Sequence, residues 1–273
     1  SEMCIRDSYN GISYNAVIRN FREYATDYAR FDRIGANGAV TPVRKYDMTE
    51  LELKFRYGKN EKFYQTHDER IPITYVALIF NLEHTMSKKG FLGSLYDYHR
   101  TELGIQKRLW FSAFGFVDVI GKAGKVWNKV PYPLLILPNA NLTYTIQPEA
   151  YTNMNAIEFI NDEYISWDVT YYMNGLILNR LPLIKKLKWR EVLCFRGLWG
   201  HLTDKNNPMK TGEGLYAFPV GSGVMGRAPY MEASVGIENI FKFMRLDYVW
   251  RLNYRDHSGI QKRGIRCTMS LSF

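Results

Sequence analysis

This sequence predicts an all-β fold: an antiparallel transmembrane β-barrel of the outer-membrane type, incomplete, with about nine or ten strands in this chain. Three observations predict it. Several segments alternate strictly between apolar and polar residues, which places the two kinds on opposite faces of an extended chain. Aromatic residues are abundant, with 20 Tyr, 15 Phe and 6 Trp in 273 residues, and strands favour them. Short and long connections take turns along the second half, as the two ends of a membrane barrel require.

The elements follow in order. Residues 1–8, SEMCIRDS, carry no apolar signal region. They resemble translated adaptor read-through at the ends of metagenomic fragments, so a non-native tail on a truncated chain is expected. Residues 9–45 are poorly defined, and NAVIRNFREYATDYARF (15–31) reads as a strand pair or a short helix. The barrel region is expected over 46–273. Residues 50–57 set Leu51, Leu53, Phe55 and Tyr57 against Glu50, Glu52, Lys54 and Arg56. Residues 58–72 fall where a short turn belongs yet are as long as an outer loop. Segments 73–85, 94–109 and 111–126 look extended but alternate less cleanly. A long connection, 127–163, follows.

Residues 164–174 set Ile165, Trp167, Val169, Tyr171 and Met173 against Ser166, Asp168, Thr170 and Asn174. A short connection is expected at 178–186. Residues 187–199 then place Leu187, Trp189, Leu193, Phe195 and Trp199 on one face, a pattern that Glu191 interrupts. The Gly- and Pro-rich stretch 201–229 is a long loop. Residues 231–238 and 245–255 form a hairpin around the turn 239–243. The last segment, 264–273, alternates from Ile265 to Phe273.

The hairpin admits one sensible register. Glu238 opposite Arg245 places Glu232 opposite Arg251, and the other face then opposes Ile237 to Leu246, Val235 to Tyr248 and Ala233 to Trp250. A slip of one residue would spoil both faces. Cross-strand charge pairs contribute about 0.2–1 kcal/mol each, enough to help fix pairing. Glu232–Arg251 and Glu238–Arg245 are expected to line a polar lumen, with Arg190, Arg196, Arg255 and Arg266 as further basic lining. Trp167, Tyr171, Trp189, Tyr248, Trp250 and Leu271 are expected to face lipid.

Lipid is preferred to a protein core for three reasons. Tyr57, Trp199 and Tyr254 sit at strand ends, where a membrane interface holds such rings. Strands of about ten residues suit a tilted span of the hydrocarbon. The chain also stops on Phe273 in mid-alternation. No run approaches the roughly 18 apolar residues of a spanning helix, which excludes a helical membrane protein. The net charge of +9 is spread over many segments without a groove-reading motif, so nucleic acid is not expected. Cys4, Cys194 and Cys267 have no Cys or His at ligand spacing, and neither metal nor cofactor is expected.

Long blocks carry a resemblance: VPYPLLILPNANLTYTIQPEAYTNMNAIEFINDEY (130–164), NGLILNRLPLIKKLKWREV (174–192), GHLTDKNNP (200–208) and PYMEASVGIENIFKFMRLDYVWRLNYRD (229–256), with the closing strand. Over residues 46–273 the chain resembles the C-terminal barrel of a Bacteroidota outer-membrane family of unknown function. Members of that family often carry a carboxypeptidase-regulatory-like domain. The resemblance implies the outer membrane of a Gram-negative bacterium, contact with its lipid, and Phe273 as the signal read by the barrel-insertion machinery. It implies no activity.

The expected role is transport, assembly or surface display, with the solute unspecified. Two alternatives stay open. One is an outer-membrane hydrolase using His201 and Asp204, the best available base and partner; His257 beside Asp256 is second. The other is a soluble β-sandwich binding module. The acidic cluster Glu158, Asp162 and Glu163 lacks the spacing of a calcium loop; a solvated loop, or partners for lumen arginines, is expected. The apolar PYPLLILP segment is expected to tuck into the barrel mouth as a plug or to meet a partner.

Overall fold

A computed structural model describes residues 4–65, 70–72, 78–143, 149–257 and 259–269. Thirteen strands are described: β1 (Cys4–Tyr24), β2 (Phe31–Ile34), β3 (Val40–Val43), β4 (Lys45–Gln65), β5 (Arg70–Pro72), β6 (Leu78–Ser87), β7 (Tyr98–Trp110), β8 (Phe116–Val126), β9 (Glu163–Tyr172), β10 (Arg190–His201), β11 (Tyr230–Ile240), β12 (Met244–Arg251) and β13 (Arg263–Met269). Among the described residues helix is confined to short 3-10 turns, and no helix there is long and apolar enough to cross a membrane.

Ten strands pair antiparallel in one path, β1-β4-β6-β7-β8-β9-β10-β11-β12-β13, with β5 folded back on β4. The hairpin β2–β3 stands apart. The sheet is not closed as a barrel: β1 and β13 are its two edges among the described residues. The ambiguous stretch 15–31 is strand, not helix, as far as Tyr24. Of residues 58–72, which did not fit as a turn, 58–65 are the far end of β4 and 70–72 are β5, while 66–69 lie outside the described residues.

The alternation settles which side of each strand faces which way. On one face, here the outer face, β4 presents Leu53 and Phe55, β7 Leu103 and Ile105, β9 Ile165, β10 Leu193 and Phe195, β11 Val235, and β13 Ile265, all of them exposed. Ladder partners such as Phe55↔Leu82 and Ala123↔Ile165 keep this face in register from strand to strand. Trp167 lies over Gly197 on the neighbouring strand, where a Cβ would overlap its ring.

The buried side is the charged one. Because successive strands run in opposite directions, the connections 25–44, 88–97, 127–162, 202–229 and 252–262 all leave the same end of the sheet. The first four pack into a cap around Phe31, Tyr46, Met48, Tyr98, Tyr132, Ile160 and Tyr216, while 252–262 packs through Tyr254 on a second cluster with Tyr151, Phe159 and Tyr230. Phe31 stacks on Tyr216 at 5.4 Å, and the Tyr96 and Tyr216 hydroxyls are 2.8 Å apart. Backbone bonds stitch the loops together: the Ile34 amide donates to the Leu215 carbonyl at 2.8 Å and the Ala217 amide to Asp32 at 2.8 Å. Tyr132, Leu134, Leu135 and Ile136 of PYPLLILP are buried in this cap. Burial and nearby Asp32 push the Tyr132 phenol up to about 12, so it stays a donor to the Arg30 carbonyl at 2.9 Å.

Candidate functional site

The site is the polar face of β9–β13 and the segment 149–162 seated on it. The segment brings its own backbone polar groups into a buried place, so each group needs a partner. The strands supply them. Glu232 of β11 is 2% exposed. Its carboxylate accepts the Thr152 amide at 2.9 Å, the Asn153 amide at 2.6 Å and the Tyr230 hydroxyl at 2.6 Å. Arg196 of β10 donates to the Ala150 carbonyl at 2.8 Å and pairs with Asp168 at 2.6 Å. Arg266 of β13 donates to the Thr152 carbonyl at 2.8 Å. Tyr151 donates to the Gly197 carbonyl at 2.9 Å. At Gly200 a Cβ would collide with the Asn161 side chain, so the missing side chain lets the segment approach.

Arg251 is the centre of this arrangement. Its guanidinium is bidentate to Glu158 at 2.9 and 2.5 Å, and it also donates to the Asn153 and Tyr254 carbonyls at 3.1 and 2.7 Å. Both side chains are almost wholly buried, and such forked pairs combine charge with fixed geometry. His257 Nδ1, in the connection after β12, lies 2.7 Å from Glu158. Burial alone would raise the Glu158 carboxyl; hydrogen bonds from Arg251 and the Asn155 amide outweigh it and hold it below the usual carboxylate range.

The hairpin register is as read from the alternation: Glu232↔Arg251, Ala233↔Trp250, Val235↔Tyr248 and Ile237↔Leu246. The expected ion pairs are corrected. Glu232 and Arg251 stand opposite each other, but the carboxylate turns to the Thr152 and Asn153 amides of segment 149–162, here called the plug, and the guanidinium to Glu158. A register shift after Ile237 displaces Glu238 from Arg245; Arg245 pairs with Asp247 on its own strand at 2.6 Å, and Glu238 lies 3.9 Å from Arg190. Among the basic residues, Arg196 and Arg266 are on the polar face, Arg190 is at its rim, and Arg255 is exposed in the connection after β12. Trp167, Tyr171, Tyr248 and Trp250 are on the outer face, partly covered by neighbouring side chains. Trp189 precedes β10. Leu271 and Phe273 lie outside the described residues.

The hydrolase pair is not assembled. His201 Nδ1 is 3.9 Å from Glu163, while Asp204 pairs with Lys210 at 2.7 Å. The acidic cluster is likewise dispersed: Glu158 serves Arg251, Asp162 accepts from the Thr203 amide and from Asn206, and Glu163 pairs with Lys125. No group of three His, Cys, Asp or Glu stands ready for a metal ion among the described residues.

Beside the plug the polar face is open. A cavity of about 250 Å³ lies between β7–β10 and residues 136–139, Glu149 and Tyr151, with Arg100, Glu102, Lys122, Asp168 and Arg196 in its lining. A second, of about 360 Å³, lies over β1, β4 and β6–β9 and shares Glu102, Lys122 and Tyr164 with it. Both signs of charge line each cavity, and most are paired, as in Lys122–Glu149 and Arg100–Glu102 at 2.7 Å. Such a lining suits a closed charge network better than a filter of one sign.

Sequence reading missed the plug's anchoring and the role of Glu191. Glu191 accepts the Ile177 amide at 3.0 Å and the Leu178 amide, so it pins the connection before β10 rather than joining the outer face. That connection spans 173–189 and is no tight turn.

These features define a class: a single large antiparallel sheet with its charged face plugged by its own loops and its apolar face uncovered. The family follows from comparison with known proteins. A model of the family of unknown function DUF5686, C-terminal domain, matches residues 10–207, more than half of the chain, and the chain belongs to that family. No curated protein matches it.

Proposed function

We propose that this chain is part of an outer-membrane β-barrel whose lumen is stoppered by its own long connections, and that its role is assembly or surface display. One observation carries the reading: the layers are inverted relative to a soluble sandwich. A soluble sheet buries its apolar face and wets its charged one. Here charged groups such as Arg251 and Glu158 are buried, while Leu103, Ile105, Phe195, Val235 and Ile265 stand exposed across the sheet. An uncovered apolar face of this extent needs an apolar neighbour, and hydrocarbon tails supply it.

The open edges fit the same reading. In a path of ten antiparallel strands β1 and β13 run in opposite directions, so they are able to pair with each other or to receive further strands of like kind. Bare sheet edges are avoided in lipid, where every backbone group needs a partner. Transport is the weaker reading, because the cavities beside the plug are lined by charges of both signs that are mostly paired with each other. Outer-membrane lipid and the barrel-insertion machinery, reading the last strand with Phe273, are the proposed partners.

The test is fractionation of the expressed full-length protein. Recovery in the outer-membrane fraction, release only by detergent, and slower electrophoretic migration after boiling are expected. Release by salt alone, with no detergent and no heat-dependent shift, would remove the proposal and favour a soluble module.

A further inference from the structure

The connection between β9 and β10 is ordered in a way a plain hairpin turn is not. Two 3-10 turns, Leu178–Arg180 and Ile184–Leu187, shape it. Glu191 holds its first turn through the Ile177 and Leu178 amides, and Asn239 in the next turn donates to the Lys188 carbonyl at 2.7 Å. Gly175 takes a positive φ of 80° beside the Asn179 side chain. Yet this pinned segment turns its large apolar groups outward. Leu183 is 83% exposed and Phe241 75%, with Ile177, Leu181 and Leu187 also open. Fixing a loop costs entropy, and showing leucines to water gains nothing back.

The charges around these groups are of one sign. Arg180, Lys185, Lys186, Lys188 and Arg190 fall between Asn174 and Arg190, and Lys242 lies beside them; neither this segment nor 239–243 contains an acid. Of the flanking acids, Glu191 is buried, and Glu238 is half-buried and lies 3.9 Å from Arg190 at the rim, so the cations from Arg180 to Lys188 face no acid of these two turns. The patch also continues the outer apolar face through Trp189 and Leu193. Leucines beside lysines, at the edge of an apolar band, match the boundary of a bilayer, with acyl chains on one side and phosphates on the other.

We infer that Ile177–Lys188, together with Phe241–Phe243, is a collar that seats the short-turn end of the sheet on an anionic phospholipid leaflet. Its leucines enter the acyl boundary and its ammonium groups meet headgroup phosphates. The inference rests on the membrane reading above and is tested separately from it. The whole chain is folded into vesicles of phosphatidylcholine, with and without phosphatidylglycerol, and the folding equilibrium is read by urea titration. The wild type is expected to gain stability from phosphatidylglycerol at low salt. The variant Arg180→Gln/Lys185→Gln/Lys186→Gln/Lys188→Gln should lose roughly tenfold or more of that gain in folding constant, while matching the wild type in phosphatidylcholine. High salt should erase the difference, and Lys185→Arg/Lys186→Arg/Lys188→Arg should keep it. An equal gain in wild type and glutamine variant would overturn the inference and point to a protein occupant. A glutamine variant weakened equally in both vesicles would show a structural role and overturn it too. A chain that enters neither vesicle contradicts the membrane reading itself, and the collar falls with it.

Discussion

At the scale of single residues, the decisive group is Arg251. Its charge is buried against Glu158 and three carbonyls, so removing it strands a carboxylate that is 1% exposed. Breaking such a pair from one side costs about 3–5 kcal/mol. Arg251→Ala should show a loss of that size in urea unfolding, and adding Glu158→Ala should recover part of it. A double variant as damaged as the sum of the two singles would deny that the pair acts as a unit. Glu158 also gives the plug a pH dependence. Its folded carboxyl lies below the ordinary value of 4.5, so the unfolded chain takes up a proton first as pH falls. The stabilisation is complete above about 4.5 and fades as pH drops through the folded value. Proteolysis within 149–162 should therefore be slow at neutral pH and quicken in acid. Glu158→Gln should flatten that profile, and an unchanged profile would count against the Glu158–Arg251 pair as what holds the segment.

At the scale of elements, the strands from β9 to β13 were readable because a period of two leaves no choice of face once one side is apolar. The β11–β12 register was readable for the same reason. The partners of Glu232 and Arg251 were not, because they lie in the segment 149–162, 79 to 98 residues away in sequence, and long-range docking leaves no local period. Arg245 was missed for a different, local reason: the register shift after Ile237 displaces Glu238, and Asp247 on the same strand takes the guanidinium. Glu191 looked like an error on the outer face of β10 because its partners are two amides in the preceding connection. Glu191→Ala should leave those amides bare and cost about 1–3 kcal/mol locally. Faster amide exchange confined to 174–189 is the expected signature; no change there would remove the pinning role.

At the scale of the whole molecule, the two faces should respond oppositely to charge. Phe195→Arg puts a cation on the uncovered apolar face and should cost about 2–4 kcal/mol for folding in a bilayer if the site lies near its middle. Lys54→Arg on the polar face should be nearly neutral in the same assay. Equal tolerance at both positions would mean the outer face is wet. The cap and the plug were only partly legible: the apolar PYPLLILP run signalled that something must cover it, and the cover proved to be the other long loops.

The central claim concerns what solvates the apolar face. Single cysteines carrying a fluorophore, placed in turn at Val235 and Ile265 on that face and at Ser234 and Thr268 on the opposite one, after replacement of Cys4, Cys194 and Cys267, decide it in vesicles with brominated acyl chains. Strong quenching at the first two sites and little at the second two is the predicted result. Little quenching at all four, or the reverse pattern, would contradict it.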